Sequence, residues 1–315
     1  SELLLQGLNV RTNYSPIKAQ GMSYPAGNFF ILNGDNQHFD GNIPGIMSEL
    51  SKRFQMEVYP LYSGFSEEGP DLGSSKLRLL DKQLKVGVLY GENVSSYNVG
   101  EIWHLFEQDL GFPLIRLNTS YFKGLDLNDL DVIIIPEGFY GDLLNEDQFN
   151  KLSSWVSNGG RLVIIGRALR YFADTEQFNL KPYLDEEEKE EIQKLQADPD
   201  YLRKYAEDER LYIMNKVYGG IYKTSMDNSH PIGFGYPDYY FTLKTVDSRY
   251  SLLDNGWNVA MISGSQDKVS GFSGSASQAK TYKALIVGME NKGAGEVVYF
   301  VDNPLFRSFW ENGKL

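Results

Sequence analysis

Two uninterrupted apolar runs, each bounded by turn-forming residues, constrain the fold of this 315-residue chain more than any other feature. They are Asp131–Pro136 (Asp-Val-Ile-Ile-Ile-Pro) and Arg161–Gly166 (Arg-Leu-Val-Ile-Ile-Gly). Runs of this length and β-branched content are typical of strands buried on both faces. The stretch between them predicts a helix that starts at Asn145 and ends at Asn158-Gly159-Gly160. Buried strands alternating with helices of about 12 residues predict a parallel sheet covered on both faces.

The same alternation extends to both sides of these runs. Val86–Tyr90 predicts a strand, and Asn98–Leu110 predicts a helix with one apolar face formed by Ile102, Leu105, Phe106 and Leu110. Further strands are predicted at Asn258–Ile262, Lys283–Val287 and Glu296–Val301. We therefore expect residues 83–315 to form an α/β fold around a doubly wound, mostly parallel sheet.

The first 82 residues predict a small α/β lead-in and linker. Strands are expected at Asn28–Leu32 and Met56–Leu61, with a helix at Ile43–Phe54 between them. Ser63–Ser75 is dense in turn-forming residues and is the predicted boundary. A second irregular region, residues 174–216, contains the acidic run Asp185–Glu191 and predicts a charged, solvent-facing helical insertion.

The charge and cysteine counts exclude several kinds of chemistry. Thirty Lys and Arg against 42 Asp and Glu give a net charge of −12, which disfavours a nucleic-acid partner. No apolar run approaches the roughly 18–20 residues of a membrane span. Cysteine is absent, which removes thiolate nucleophiles, thiolate metal ligands and disulfides together. The opening Ser-Glu-Leu-Leu-Leu lacks the basic segment of a signal peptide, so we expect a piece of a longer protein.

Candidate chemistry is concentrated where the predicted strands end. In a parallel sheet, ligands bind at the carboxyl ends of the strands, which here are followed by Pro136–Gly141 and Gly166–Arg170. The second loop stands where a nucleophile elbow would lie, and an elbow needs Ser or Cys there. The residues are Gly166-Arg167-Ala168, so the predicted elbow has no nucleophile.

Pro136-Glu137-Gly138, a helix, and the run from Asn158 to Gly166 together resemble the flavodoxin-like fold of class I glutamine amidotransferase-like domains. In that family a Pro-Gly-Gly loop and a Cys-bearing elbow occupy the corresponding places, so the resemblance implies the fold and argues against the activity. It implies a vestigial pocket, without catalytic or metal-binding residues, whose candidates are Glu137, Gly138, Tyr140, Gly166, Arg167 and His230.

A second resemblance covers nearly the whole chain through motifs that occur in order. The motifs are Tyr24–Phe29, Gly69–Ser74, Glu107 with Gly111-Phe112-Pro113, His230–Gly235, Gly293–Phe300 and Asn303–Trp310. Together they are similar to the region downstream of the catalytic domain in large bacterial zinc carboxypeptidases. The resemblance implies an exported (periplasmic or extracellular) parent protein whose zinc lies in a catalytic domain outside this chain, with no cofactor here. The implied partners are that peptidase domain, further copies of the chain, or a polypeptide or peptidoglycan-derived ligand.

The three histidines of the chain are candidate site residues. His104-Leu105-Phe106-Glu107 matches the His-x-x-Glu pattern of zinc sites, but it falls inside a predicted amphipathic helix, so zinc binding is not the favoured interpretation. His230, held extended by Pro231, is interpreted as a structural residue that bonds nearby backbone, with a former acid–base role as the alternative. His38 is interpreted as a surface-loop residue.

Two further hypotheses concern side chains near the predicted pocket. If the two loops follow adjacent strands, Arg167 and Glu137 would form an ion pair that fills the pocket. The loop aromatics Phe139, Tyr140, Tyr236, Tyr239 and Tyr240 are candidates for a binding groove.

The sequence therefore favours a non-catalytic accessory domain and leaves the question of enzymatic activity open. One alternative is an atypical hydrolase of small amides, which without cysteine would need Ser, Thr or a metal-bound water. The other is an independent sugar- or peptide-binding module.

Overall fold

The structure, a computed structural model, describes residues 2–80, 84–183, 190, 210, 212–264 and 267–307. It divides into two compact units, Ser1–Leu84 and Lys85–Leu315. Most of the acidic insertion, Asp185–Glu191 included except for Glu190, lies outside the described residues, as do positions 308–310 of the last motif.

The N-terminal unit contains two small antiparallel sheets and one long helix. Its strands are β1 (Arg11–Asn13), β2 (Ile17–Ala19), β3 (Met22–Tyr24), β4 (Phe29–Phe30) and β5 (Leu77–Leu79), and its helices are α1 (Glu2–Leu5) and α2 (Ile43–Phe54). One sheet has the order β4-β1-β5, and β2 and β3 form a hairpin. The α2 helix has the predicted bounds because the Asn42 side chain caps its first turn and Gln55 ends it in the left-handed conformation.

Two predictions for this unit differ from the structure. Met56–Leu61 is not a strand: Val58 and Tyr59 are exposed, and Pro60 has no N–H to donate to a neighbouring strand. The turn-rich segment Ser63–Ser75 is packed into the unit rather than linking it to the next. Leu72 lies in the core with Ile17, and the backbone N–H of Lys18 donates to the Glu68 carbonyl oxygen.

A single ten-stranded sheet organises the C-terminal unit. Its strands are β6 (Val86–Tyr90), β7 (Leu114–Asn118), β8 (Val132–Ile135), β9 (Arg161–Ile165), β10 (Val217–Met226), β11 (Tyr239–Lys244), β12 (Trp257–Met261), β13 (Lys268–Ser273), β14 (Leu285–Lys292) and β15 (Gly295–Phe300). Their order is β11-β10-β12-β14-β15-β9-β8-β6-β7, with β13 paired to β10.

The predicted α/β class is confirmed, with a mixed and partly parallel sheet. Strands β15, β9, β8, β6 and β7 run parallel, whereas every pair from β15 through β14 and β12 to β10, β11 and β13 is antiparallel. The expectation of a mostly parallel sheet thus holds for one half only. The last strand, β15, joins the two halves because it pairs with β14 on one side and β9 on the other.

Four helices with fully described bounds in this unit are α3 (Ser96–Trp103), α4 (Thr119–Phe122), α5 (Glu146–Ser157) and α6 (Ser275–Lys280). The α5 helix starts as predicted, because the Asn145 side chain accepts from the Gln148 N–H. Its Leu152 and Val156 are buried in the same apolar cluster as Leu162 and Ile164 of β9.

The helix predicted at Asn98–Leu110 is confirmed only in part. The α-helical segment starts earlier, at Ser96, and is followed by a π-helical turn, His104–Asp109. Ile102 is buried as expected, but Leu110 is exposed because the π-turn changes the register of the apolar face.

The described part of the predicted insertion begins inside the core. Phe178 and Leu180 are buried and belong to the same cluster as Leu162 of β9. Residues 174–183 are therefore anchored in the core rather than wholly solvent-facing, because Phe178 completes an edge-on aromatic group with Phe149 and Phe172. Among the described residues, no helix is both long enough and apolar enough to cross a membrane.

Candidate functional site

The carboxyl ends of three adjacent parallel strands bring the candidate residues to one edge of the sheet. Glu137 follows β8, Gly166 follows β9 directly, and Asp302 follows β15. Because these strands are neighbours in the order β15-β9-β8, the three positions lie side by side. This edge is where α/β sheets bind ligands.

Gly166 occupies the sharp turn between β9 and a 3-10 helix, Gly166–Tyr171. Its φ is +59°, in the left-handed region that favours glycine. A Cβ atom added at Gly166 would lie 2.2 Å from the Oε1 atom of Glu137. The position that holds the nucleophile in an elbow therefore has no side chain, and a carboxylate fills the space above it.

The Glu137 carboxyl group also lies near the backbone group that such an elbow reserves for its substrate. The backbone N–H of Arg167 favours the charged form of this carboxyl group and so lowers its pKa. In a nucleophile elbow, the N–H of the residue after the nucleophile forms part of the oxyanion hole. Burial raises the pKa of Glu137, while the positive charge and the backbone N–H of Arg167 oppose the rise.

A side-chain network holds the Glu137 loop from below. The Glu137 N–H donates to Asn98 Oδ1 at 2.9 Å, and Asn98 Nδ2 donates to Glu101 Oε2 at 3.3 Å. Glu101 Oε2 also accepts from Asn303 Nδ2 at 2.7 Å. Asn98 is buried, so the network fixes the ends of β8 and β15 relative to α3.

Gly138 and Tyr140 have structural roles next to this position. Gly138 forms a backbone bridge with Val94, and a Cβ there would lie 2.8 Å from the Asn93 carbonyl oxygen. The Tyr140 hydroxyl donates to the Pro136 carbonyl oxygen at 2.8 Å, and burial raises the pKa of this phenol. Tyr140 is therefore a packed residue of the core rather than a group lining a pocket.

The hypothesis of an Arg167–Glu137 ion pair is wrong, although β8 and β9 are neighbours as it required. The guanidinium of Arg167 does not lie within 4 Å of Glu137 or of any other carboxylate among the described residues. The exposed side chain of Arg167 lines an adjacent cleft instead.

His230 lies away from these residues. Its ring packs against Trp257 at 5.8 Å between centroids, and burial lowers its pKa against the opposing effect of the Asp227 and Glu296 carboxylates. Glu296 pairs with Arg161 at the start of β9, whereas Arg167 follows the end of that strand. The Nδ1 atom of His230 accepts from the Ile232 N–H at 3.3 Å, which agrees with the interpretation of a structural histidine.

The five loop aromatics do not form one groove. Tyr140 belongs to the core of the parallel half of the sheet, whereas Tyr236 and Tyr240 pack on a separate cluster around Tyr222 and Val259. Tyr239 lies edge-on to Phe241, and Phe139 is 60% exposed beside Arg170. The five aromatic side chains therefore lie in different surroundings and do not line a common surface.

The His-x-x-Glu match uses its side chains for local contacts. His104 Nδ1 lies 3.2 Å from Asp109 Oδ2, and Trp103 Nε1 donates to Glu107 Oε2 at 2.8 Å. Across the described part of the chain, no three His, Cys, Asp or Glu side chains are grouped so as to hold a metal ion.

A cleft that the sequence reasoning did not identify lies beside Gly166. Its volume is about 330 Å³. The described residues that line it are Arg167, Arg170, Tyr212, Lys216, Val217, Tyr218, Thr245, Val246, Asp247 and Ser248. The available signal was the spacing of Arg167 and Arg170, three residues apart directly after a buried strand.

No protein-family model matches the chain. No curated protein matches it either. Solved structures with distant similarity include a glutamine amidotransferase from Thermotoga maritima (10% identity, 70% of this chain, 76% of that chain, TM-score 0.42). They also include the exo-β-1,4-mannosidase Op5Man5 from Opitutaceae bacterium strain TAV5, which is 13% identical over 73% of this chain and 33% of that chain, with a TM-score of 0.41. A β-galactosidase from Bacillus circulans sp. alkalophilus is 12% identical over 73% of this chain and 30% of that chain, with a TM-score of 0.40.

This chain spans about a third of each glycosidase. With TM-scores of 0.40–0.42 the similarities are distant and carry no weight on function.

Proposed function

We propose that the C-terminal unit is a non-catalytic accessory domain of a larger protein. Its role there would be to pack against another domain, to mediate oligomerisation or to bind a polypeptide or cell-wall peptide. The observation that supports this most directly is the Gly166 turn. It has the backbone geometry of an elbow, no side chain, and the Glu137 carboxylate in the side chain's place.

Acyl transfer at this turn would need an activated nucleophile and a free oxyanion hole. Gly166 supplies no nucleophile, and the chain contains no cysteine. The Glu137 carboxyl group stands over Gly166 near the Arg167 N–H, and so occupies space that an oxyanion would need. Loss of one oxyanion-hole donor alone typically lowers kcat by about 10²–10³.

The parent protein is proposed to be an exported zinc carboxypeptidase-like enzyme. Support for this comes from the ordered motifs Tyr24–Phe29, Gly69–Ser74, His230–Gly235 and Gly293–Phe300. The zinc would then be bound outside these residues, and this chain would pack against the peptidase, mediate oligomerisation or hold a polypeptide or cell-wall peptide. An immunoblot of the source organism's proteins tests the existence of this larger parent. We expect a band well above 35.8 kDa, from a protein that contains zinc when purified, and a band at 35.8 kDa would contradict the proposal.

Reactivity assays test the lack of catalysis. We expect no turnover of glutamine, small amides or p-nitrophenyl esters, and no labelling by a serine-directed fluorophosphonate. Turnover that co-purifies with the chain and is lost in Glu137→Gln would contradict the proposal.

The cysteine-free background allows a direct test of the filled elbow, since any thiol label must report the introduced position. Gly166→Cys alone should react slowly with iodoacetamide, because the carboxylate covers the turn. The double variant Gly166→Cys, Glu137→Gly should react faster by at least about tenfold. Equal rates, with both variants folded by circular dichroism, would show that Glu137 does not block the site.

A second candidate function, an atypical hydrolase, rests on Glu137 itself. A half-buried carboxyl with a raised pKa at the carboxyl edge of a sheet is a feature of acid–base groups. The turnover assays above separate the two functions.

A further inference from the structure

The cleft beside Gly166 presents two arginines in a fixed relation. Arg167 and Arg170 lie in the 3-10 helix Gly166–Tyr171. A 3-10 helix has three residues per turn, so side chains three apart project from the same face. Both side chains line the cleft, and both residues are exposed.

Aromatic rings hold the cations of the cleft in position. The Arg170 guanidinium lies 5.1 Å from the centre of the Phe139 ring and 4.7 Å from that of Tyr171, and its Nη2 donates to the Tyr171 hydroxyl at 2.6 Å. Lys216 Nζ lies 4.6 Å from the centre of the Tyr212 ring. Cations restrained in this way lose less conformational freedom when they bind an anion.

The positive charge of the cleft is not neutralised by carboxylates of the described residues. None of Arg167, Arg170 and Lys216 lies within 4 Å of one. Of the described lining residues, Asp247 alone is acidic. Three cations against one carboxylate stand out in a chain whose net charge is −12.

The opposite wall, residues 245–248, is tied to the core of the sheet. Lys244 Nζ donates to the Ser248 carbonyl oxygen at 3.2 Å and to Asp302 Oδ1 at 3.0 Å. Lys244 and Asp302 are both buried, and the Thr242 hydroxyl donates to Asp302 Oδ2 at 2.8 Å. Thr245 and Ser248 add hydroxyl groups to this wall.

We propose that this cleft binds a small organic carboxylate. Two arginine forks on one face match the two oxygens of a carboxylate, with Lys216 as an additional charge. A volume of about 330 Å³ suits a ligand of the size of a dipeptide or monosaccharide, and the Tyr212 and Tyr218 rings offer cover for its apolar part. The inference goes beyond the proposed function, since a domain without turnover need not bind this ligand.

Isothermal titration calorimetry on the full chain tests the proposal with N-acetyl-Ala-Ala and glucuronate as carboxylate probes. The C-terminal amide of the same dipeptide and glucose are the matched uncharged controls. We expect binding of at least one carboxylate and none of its uncharged control. Preference for the dipeptide indicates a peptide terminus as the source, and preference for glucuronate indicates an acidic sugar.

Substitutions assign the binding to the cleft. Arg167→Gln or Arg170→Gln should weaken binding about tenfold to a hundredfold, as expected for loss of a charged hydrogen bond. Asp247→Asn should strengthen it by removing a like charge. Arg116→Gln, an exposed arginine on β7, is the matched control and should leave the affinity unchanged.

Three results would overturn the proposal. They are no binding of either carboxylate at 10 mM to the folded chain, equal binding of inorganic phosphate and both carboxylates, and equal losses in the Arg116 and Arg167 variants. Absence of turnover alongside carboxylate binding would leave the proposed function intact, so the two hypotheses fail separately.

Discussion

At the scale of single residues, the site is defined by the coupling between Gly166 and Glu137. Neither glycine nor glutamate is unusual after a strand. What defines the site is that the Glu137 carboxyl group fills the space that a side chain at position 166 would occupy. The sequence supplied both residues and the expectation of adjacent strands. It could not supply the direction of the carboxylate, because that depends on the φ of +59° at Gly166 and on the anchoring of the Glu137 N–H by Asn98.

Gly166→Ala should lower the free energy of unfolding by about 2–4 kcal/mol. The left-handed backbone accounts for about 1–2 kcal/mol and overpacking against Glu137 for the rest. Urea denaturation measures the cost. In a Glu137→Ala background the same substitution should cost at least about 1 kcal/mol less, and strictly additive effects would show that the two residues do not interact.

Glu137 also predicts a pH dependence of stability. Its pKa is raised in the folded state, so between pH 4.5 and the folded-state value the folded chain holds a proton that the unfolded chain has released. The free energy of unfolding attributable to Glu137 therefore decreases as pH rises through this window. Glu137→Gln should show a smaller decrease than the unaltered chain in urea titrations from pH 4.5 to 7.5. Glu290, whose pKa burial also raises, titrates in both proteins, so identical profiles would contradict the assignment.

At the scale of elements, strands with continuous apolar sequence were predictable and strands with mixed sequence were not. The bounds of β6, β8 and β9 follow from Val, Leu and Ile runs. The ten-residue β10 was missed because its buried positions include Gly220, Tyr222 and Thr224. With these residues the sequence does not show the alternation of apolar and polar side chains that predicts a strand. Its partners β11 and β13 were missed with it, so the antiparallel half of the sheet was foreseen only through β12, β14 and β15.

The contact between Lys244, at the end of β11, and Asp302, after β15, predicts a large effect of breaking a buried ion pair. Lys244→Met leaves the Asp302 carboxylate buried and unpaired, and should cost about 3–5 kcal/mol by urea denaturation. Lys181→Met removes a lysine from a pair with Asp254 in which both side chains are more than half exposed, and should cost less than about 1 kcal/mol. Similar costs for the two variants would refute a stabilising role for the buried pair.

At the scale of the whole molecule, β15 connects the two halves of the C-terminal sheet. Val297, at its centre, is fully buried and pairs with Leu162 of β9 on one side and Glu290 of β14 on the other. The parallel half holds the candidate site and the antiparallel half supplies one wall of the cleft. A substitution that disrupts β15 should therefore affect both the candidate site and the cleft.

Val297→Asp places a charge in this core and should cost more than about 4 kcal/mol, with loss of near-ultraviolet circular dichroism and of a cooperative thermal transition. Glu296→Gln, one residue earlier and half-exposed, should change the stability by no more than about 0.5 kcal/mol. A folded, cooperative Val297→Asp protein would show that the two halves do not depend on this strand.

The central place of β15 also has a consequence for biosynthesis. Glu296 pairs with Arg161, more than a hundred positions earlier in the chain, so β9 leaves the ribosome long before its neighbour exists. During that interval one side of β9 presents unpaired backbone groups in an apolar environment, which is the kind of surface that chaperones protect. Completion of the sheet thus waits for the synthesis of β15, and the time between the synthesis of β9 and that of β15 sets how long the nascent chain stays exposed to misassembly.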